Sequence, residues 1–260
     1  MDLDLTALRT LLDRQLRRDA RPDGPAARVE RDGSVVRQTG PAHGWNGVLW
    51  SALTAADADA AVAAQIRHFR SVGHGFEWKL YAHDTPVDLA DRLLAAGFVP
   101  DERETVMVAE AAAVSAPAVL PEGVELREVT DEEGVRMVVE VHDRAFGGDS
   151  TALGRRLLDQ LAGAPGTVAA VLALHHGDPV SAARLELPPG SDFAGLYGGG
   201  TVVPWRGQGL YRALVAHRAR LAAAHGRRWV QVDAAETSRP ILARLGFAAL
   251  TTTTPYVYEV

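Results

Sequence analysis

The sequence predicts an α+β fold built as two similar units, each a mixed, mostly antiparallel sheet flanked by helices. Strand-like and helix-like segments follow one another without the strict alternation that a doubly wound parallel sheet requires. The stretches "HGFEW" at 74–78 and "HGRRW" at 225–229 head two equivalent series. An amphipathic helix precedes each, a strand begins in it, and a helix ending in Gly-Phe leads to a closing strand. A length of 260 residues suits two such units.

The opening segment, "MDLDLTALRTLLDRQLRRDA", carries leucines at 5, 8, 12 and 16, a helical spacing. "RVERDGSVVRQTG" reads as a hairpin turning at Asp32-Gly33. "GWNGVLWSAL" is a strand, and residues 57–72 have the apolar spacing of an amphipathic helix. "FEWKLYAHD" is the next strand. The helix "PVDLADRLLAAGF" has Pro86 near its start and Gly97 beyond its last leucines, and "ETVMVAE" closes the first half as a strand. Small, proline-punctuated residues form a linker at 111–123, so the units are assigned to 1–110 and 124–260.

In the second half, "VELREVTD" is a strand, and "EEGVRMVVEVHDRAF" and "TALGRRLLDQLAG" are helices. "TVAAVLALHHG" and "PVSAARLEL" are strands joined at Gly177-Asp178-Pro179. The glycine-rich strand "FAGLYGGGTVV", the helix "GLYRALVAHRARLAAAHG", the strand "RRWVQVDA", the helix "SRPILARLGF" and the strand "TTTTPYVYEV" complete the chain.

A net charge of −6 argues against nucleic acid as the main partner, since phosphate neutralisation needs a basic face. The absence of cysteine excludes disulfides, thiolate metal sites and a cysteine nucleophile. His175-His176 has no matching ligand set, so no metal is expected. The opening segment mixes acids with its leucines and contains no unbroken apolar run. It reads as neither a signal peptide nor a membrane span, which makes the cytoplasm the expected location.

"GGGTVVPWRGQGLYRAL", 198–214, joins the glycine-rich strand to a helix through the bare turn Arg206-Gly207-Gln208-Gly209. Free amides in a first helical turn, together with the helix dipole, suit an anion, and Arg206 can add charge-assisted bonds. A diphosphate fits that description. The turn is not a Walker A loop, for no Gly-Lys-Ser/Thr follows, and it lacks the third glycine of a dinucleotide fingerprint. The same glycines would also serve a tight strand-to-helix turn with no ligand at all.

Arg-x-x-Gly-x-Gly/Ala after a strand and opening a helix resembles the pyrophosphate loop of the GNAT superfamily of acyl-CoA N-acyltransferases. The element order over 124–260, with "RLGF" before the last strand, is similar to that family as well. The first half resembles a GNAT half-unit but has no such loop, which implies a degenerate copy. The resemblance implies that Gly199, Gly200 and Thr201 lie along the pantetheine arm and acetyl carbonyl of acetyl-CoA. It further implies that Arg206, Gly207, Gln208, Gly209, Leu210, Tyr211 and Arg212 cradle the diphosphate. The implied activity is direct transfer of an acetyl group to an amine on a small molecule or peptide.

The chain departs from the family pattern in ways that keep a second reading open, a non-catalytic acyl-CoA-binding or interaction module. Many relatives carry a tyrosine in the "RLGF" helix, where Leu242 stands here, and a glutamate in the loop-bearing strand, where none occurs. The usual proline is displaced to Pro204, with Val203 in its place. Tyr211 stands where a small residue is usual. Its ring can pack beneath the helix, or its phenol can reach a phosphate oxygen or the sulfur.

Transfer requires a neutral amine. At pH 7, deprotonation costs about 4.6 kcal/mol for a lysine-like amine and about 1 kcal/mol for an α-amino group, so a base matters mainly in the first case. Glu186 is the candidate base, acting directly or through water, and is also readable as a solvated strand-end acid, the commoner fate of such a residue. Tyr256 is the candidate proton donor. It shares a face with Tyr258, and alternation makes both core or both pocket. Tyr197 is the only titratable side chain of the glycine-rich strand. His142 borders the expected substrate side and is also readable as a surface histidine. Asp233, Glu236 and Ser238 read as caps of the following helix.

Overall fold

The computed structural model describes residues 4–260; the first three positions of the predicted N-terminal segment lie outside the described residues. The Asp4 carboxylate accepts from the amides of Thr6 and Ala7 and starts helix α1, Leu5–Leu12. The helix runs on into one wider, π-helical turn, Asp13–Arg18. The predicted hairpin forms as β1 (Arg28–Asp32) and β2 (Val35–Thr39), followed by β3 (Gly47–Ser51), α2 (Ala58–Val72), β4 (Phe76–Tyr81) and α3 (Leu89–Ala95). A two-residue strand absent from the sequence reading, β5 (Val99–Pro100), precedes β6 (Glu104–Glu110). Within 111–123, Ala111–Val114 makes one 3-10 turn with Ala111 buried.

The second half contains β7 (Val124–Glu128), α4 (Glu132–Phe146), α5 (Thr151–Gly163), and the hairpin β8 (Val168–His175) and β9 (Asp178–Glu186). After it come β10 (Phe193–Thr201), α6 (Leu210–Ala224), β11 (Trp229–Ala234), α7 (Arg239–Arg244) and β12 (Ala248–Tyr258).

All twelve strands join one sheet in the order β1-β2-β3-β4-β12-β6-β11-β10-β9-β8-β7, with β5 paired to β12. Among the described residues only β3–β4 and β10–β11 are parallel pairs, one in each half. The closing strands are exchanged. β6, which ends the first half, lies between β11 and β12, and β12, which ends the second, lies between β4 and β6. The ranges 1–110 and 124–260 read from the sequence do not contain this exchange. Each half's sheet is completed by a strand of the other, so the halves share backbone hydrogen bonds rather than a side-chain contact alone.

Strand alternation sends the helices to two faces. On one face, Trp78, Tyr256 and Tyr258 pack with Phe69 of α2 and Leu93 of α3, and Met107, Val230 and Val232 pack with Val215 of α6 and Leu242 of α7. On the other, Leu8 and Leu12 of α1 cover Tyr81, Val106, Val108, Phe193 and Trp229, while α4 and α5 cover Ala170, Leu172 and Ala182. Each fully buried leucine contributes roughly 1.5–3 kcal/mol, so α1 is a firm cover over the junction of the halves. No helix among the described residues is long and apolar enough to cross a membrane.

Candidate acyl-donor and acceptor site

β10 and β11 pair only over Phe193–Gly195 and Trp229–Gln231, and beyond that point they diverge. On its other edge β10 carries a bulge against β9, where the register shifts between Tyr197 and Gly200. Gly198 sits in the bulge with φ 59°, a conformation glycine adopts without steric cost. Arg218 of α6 gathers the displaced carbonyls, donating to Arg184 O at 2.9 Å and Tyr197 O at 3.3 Å. Burial draws its guanidinium down to about 10, so it stays charged at neutral pH and holds the bulge open.

The three glycines are pressed by the chain's own rings. A Cβ on Gly198 would stand 3.2 Å from His142, one on Gly200 would stand 2.8 Å from Phe146, and one on Gly199 would stand 3.3 Å from Tyr211. The edge of 197–201 that points toward β11 has no strand partner. His142 is half-buried rather than a surface histidine. Its Nε2–H donates to Gly198 O at 2.9 Å, and burial holds the imidazole below its usual range. Tyr211 packs against the α6 core, so packing is the outcome of the two readings open for it.

The turn before α6 places Gly207 and Gly209 at φ 77° and 88°. Gly209 is the helix N-cap, without a side-chain cap, and the first helical bond runs from Ala213 N to Gly209 O at 3.0 Å. Among the described residues the amides of 207–212 therefore meet no acceptor. The Arg212 guanidinium overlies the turn, 3.4 Å from where a Cβ on Gly209 would stand. Arg206 donates to Thr201 O at 3.0 Å and Ala145 O at 2.8 Å, which ties the turn to the end of α4. Gln208 donates to Pro204 O, and the Leu210 side chain is buried against the α4–α5 core, leaving its amide for the turn.

The equivalent place in the first half is closed. The start of α2 is occupied by its own residues, with Thr54 N donating to Asp57 Oδ1 at 2.7 Å. β3 and β4 pair only at Gly47–Val48, and Arg17 fills the gap beyond. It donates to Leu49 O at 3.0 Å and to both Asp84 oxygens at 2.8 and 2.6 Å, stacked 3.8 Å above the Tyr81 ring.

A polar cluster drawn from four strands sits on the face of α1, α4 and α5. Lys79 of β4 forms an ion pair with Asp233 of β11. Tyr197 of β10 accepts a hydrogen bond from Gln231 of β11, and its ring leans over Gly195, where it would meet a Cβ. Burial, reinforced by the Asp233 charge, holds the Tyr197 phenol well above its usual range. Glu104 of β6 lies on this face two residues from Val106, the register partner of Asp233. Burial and the charge of Asp233 push its carboxyl up to about 7. Asp233 is thus Lys79's partner rather than a helix cap. Ser238 donates to Ala235 O, and Glu236 meets Arg239 at the surface.

Glu186 lies on the same face as Tyr197, held by Arg184 at 3.1 Å and Arg156 at 3.2 Å. Tyr256 lies on the opposite face, 8% exposed, in the core with Trp78. The structure does not bring it to the loop, because β12 is exchanged into the first half. The sequence reading gives neither Glu104 nor Lys79 a role in the site. The available signal is the alternation of Glu104, Val106 and Val108, which sets one carboxylate in an otherwise apolar inward row.

A scan against protein-family models finds no match, and a search of curated proteins finds none. Solved structures do match over nearly the whole chain. A GCN5-related N-acetyltransferase from Kribbella flavida is 18% identical, with a TM-score of 0.69 over 97% of this chain and 93% of that one. A conserved protein of unknown function from Staphylococcus epidermidis is 16% identical, with a TM-score of 0.68 over 93% and 96%. A tandem GNAT protein from the clavulanic acid biosynthesis pathway is 16% identical, with a TM-score of 0.62 over 93% and 85%. These likenesses show the fold: the chain has the GNAT-like α+β architecture, with a tandem GNAT protein among the structures it matches over nearly its whole length.

Proposed function

We propose that the second half binds an acyl-CoA, acetyl-CoA in the first instance, and transfers the acyl group directly to an amine on a small molecule or peptide. One observation carries this reading: six consecutive amides without acceptors, at 207–212, stand beside a strand edge left open at 197–201. The diphosphate would rest on the amides of Gly207, Gln208, Gly209, Leu210, Tyr211 and Arg212, with the α6 dipole and the Arg212 cation adding attraction. Each hydrogen bond to a charged group contributes roughly 1.5–3 kcal/mol, so a few suffice to anchor it. The pantetheine amides would pair along Gly199, Gly200 and Thr201, whose outward edge lacks a neighbour. Arg206 would then act chiefly by holding the turn in place.

Binding without turnover is the second reading, favoured by Leu242, which is fully buried on α7 and brings no hydroxyl to the sulfur. Incubation of the protein with acetyl-CoA and a panel of primary amines separates the two. Free thiol appearing together with an acetylated amine supports transfer. Retention of acetyl-CoA without thiol release supports the binding module, and failure to bind acetyl-CoA contradicts both.

A further inference from the structure

We infer that the acceptor site is shared between the two halves, and that the Glu104 carboxylate, on the exchanged strand β6, binds the ammonium head of a cationic alkylamine and takes its proton. This rests on the acyl-transfer reading above and specifies its acceptor.

Position comes first. β10 and β11 run parallel and part after Gly195 and Gln231, so their gap opens toward Thr201 and Ala234. Thr105 pairs with Ala234, which sets Glu104 just beyond the end of β11, at the open side of that gap. Alternation puts it on the face of Asp233 and Gln231, and Gln231 reaches Tyr197 across the gap.

The second observation is independent of Glu104. The Asp233 side chain is 5% exposed, and Lys79 engages only its Oδ2. Its Oδ1 is buried and has no hydrogen-bond partner among the described residues. A buried carboxylate oxygen without a donor is costly, and an ammonium group entering the cluster supplies that donor.

Charge matching singles out Glu104 itself. Glu186 is matched by Arg184 and Arg156, Glu77 accepts from Trp45 Nε1 at 2.8 Å, and Asp13 and Asp84 are matched by Arg17. None of the ion pairs and hydrogen bonds formed among the described residues of this cluster engages the Glu104 carboxylate. The charges that act on it most are Asp233 from β11, Lys79 and Glu77 from β4, and Asp101 from the turn before β6. Three of these four are acids, so the cluster favours a cation, and the same acids with burial leave Glu104 able to hold a proton near neutrality.

The step balances. The ammonium gives one proton to the Glu104 carboxylate, and the freed nitrogen lone pair attacks the thioester carbonyl. The C–N bond forms and the C–S bond breaks, and the proton still on nitrogen passes to the departing thiolate. Glu104 then releases its proton to water. Ammonium and acyl-CoA become amide, CoA thiol and one proton.

The test uses the whole chain, the variant Glu104→Gln, acetyl-CoA, and tyramine and spermidine as amine probes. Calorimetric titration of acetyl-CoA tests the donor reading alone, and Glu104→Gln is expected to bind it as the wild type does. Its kcat/KM for the amines is expected to fall by about 10²–10⁴-fold, with loss of the acidic limb of the pH profile. Without CoA, the 13Cδ resonance of Glu104 is expected to titrate near pH 7 and to shift when tyramine is added. A variant with wild-type turnover and an intact acidic limb would overturn the proposal, as would a Glu104 carbon titrating at the ordinary glutamate value of about 4.3. Absence of acetyl-CoA binding to wild type would instead overturn the donor reading, and is told apart because the carbon titration is read without CoA.

Discussion

Lys79, on β4 of the first half, and Asp233, on β11 of the second, form an ion pair across the two exchanged strands β12 and β6. Lys79 is the only lysine in the chain. Burial works to lower its ammonium, and the attraction of Asp233 outweighs it, so the group is held well above the ordinary lysine range. The pair therefore reports on the exchange itself, because neither half contains both partners.

Replacing Lys79 by methionine leaves Asp233 as an uncompensated buried charge. The expected loss is about 3–5 kcal/mol in urea denaturation, whereas Lys79→Met with Asp233→Leu recovers most of it. A single variant as stable as the wild type would show that the ion pair is not formed.

Glu104 makes a prediction about stability that needs no substrate. Its carboxyl titrates near 7 in the folded chain, pushed up by burial and by Asp233, against about 4.3 unfolded. A carboxyl raised on folding stabilises most below the unfolded value, and that contribution is lost as pH rises through the folded one. Wild type should thus lose stability between about pH 4 and about pH 7 relative to Glu104→Gln, which carries no charge there. Melting curves should show the variant gaining on the wild type by about 2 °C or more over that interval. A constant difference would mean Glu104 is ordinary.

Arg17 closes the first half. Its Asp13 partner illustrates the balance: burial pushes that carboxyl up, but hydrogen bonds from His83 and Arg17 outweigh it and hold it below its usual range. Arg17→Ala should cost about 3–5 kcal/mol, since it strips buried Asp84 of its partner. Acetyl-CoA affinity should stay unchanged, because the proposed donor site lies wholly in the second half. A matching loss of affinity at a temperature where the variant is folded would place the donor elsewhere.

The bare turn is legible in the sequence because its chemistry is local: glycines, a missing cap and a helix start lie within a few residues. The order of elements is legible for the same reason, since each is set by its own periodicity. The exchange of β6 and β12 is not. Both strands follow a Gly-Phe helix end and both are rich in β-branched residues, so either satisfies either sheet edge, and the choice is made by pairing far along the chain. That choice governs the catalytic candidates. It turns Tyr256 into the first half's core and brings Glu104 to the second half's open gap. The three glycines in a row were legible as a place of close approach, but the rings of His142, Phe146 and Tyr211 that approach come from α4 and α6.

The most direct test of the donor site uses opposite signs in one variant. Gln208 stands just before α6, and its side chain bonds only the Pro204 carbonyl. Gln208→Asp puts a carboxylate at a helix N-terminus, which should raise stability by about 0.3–1 kcal/mol. The same charge should repel a diphosphate. Calorimetric titration of acetyl-CoA should therefore show binding to the wild type and a large loss in a variant that melts no lower. Equal binding by both proteins, or none by the wild type, would contradict the assignment of the 207–212 amides to acyl-CoA.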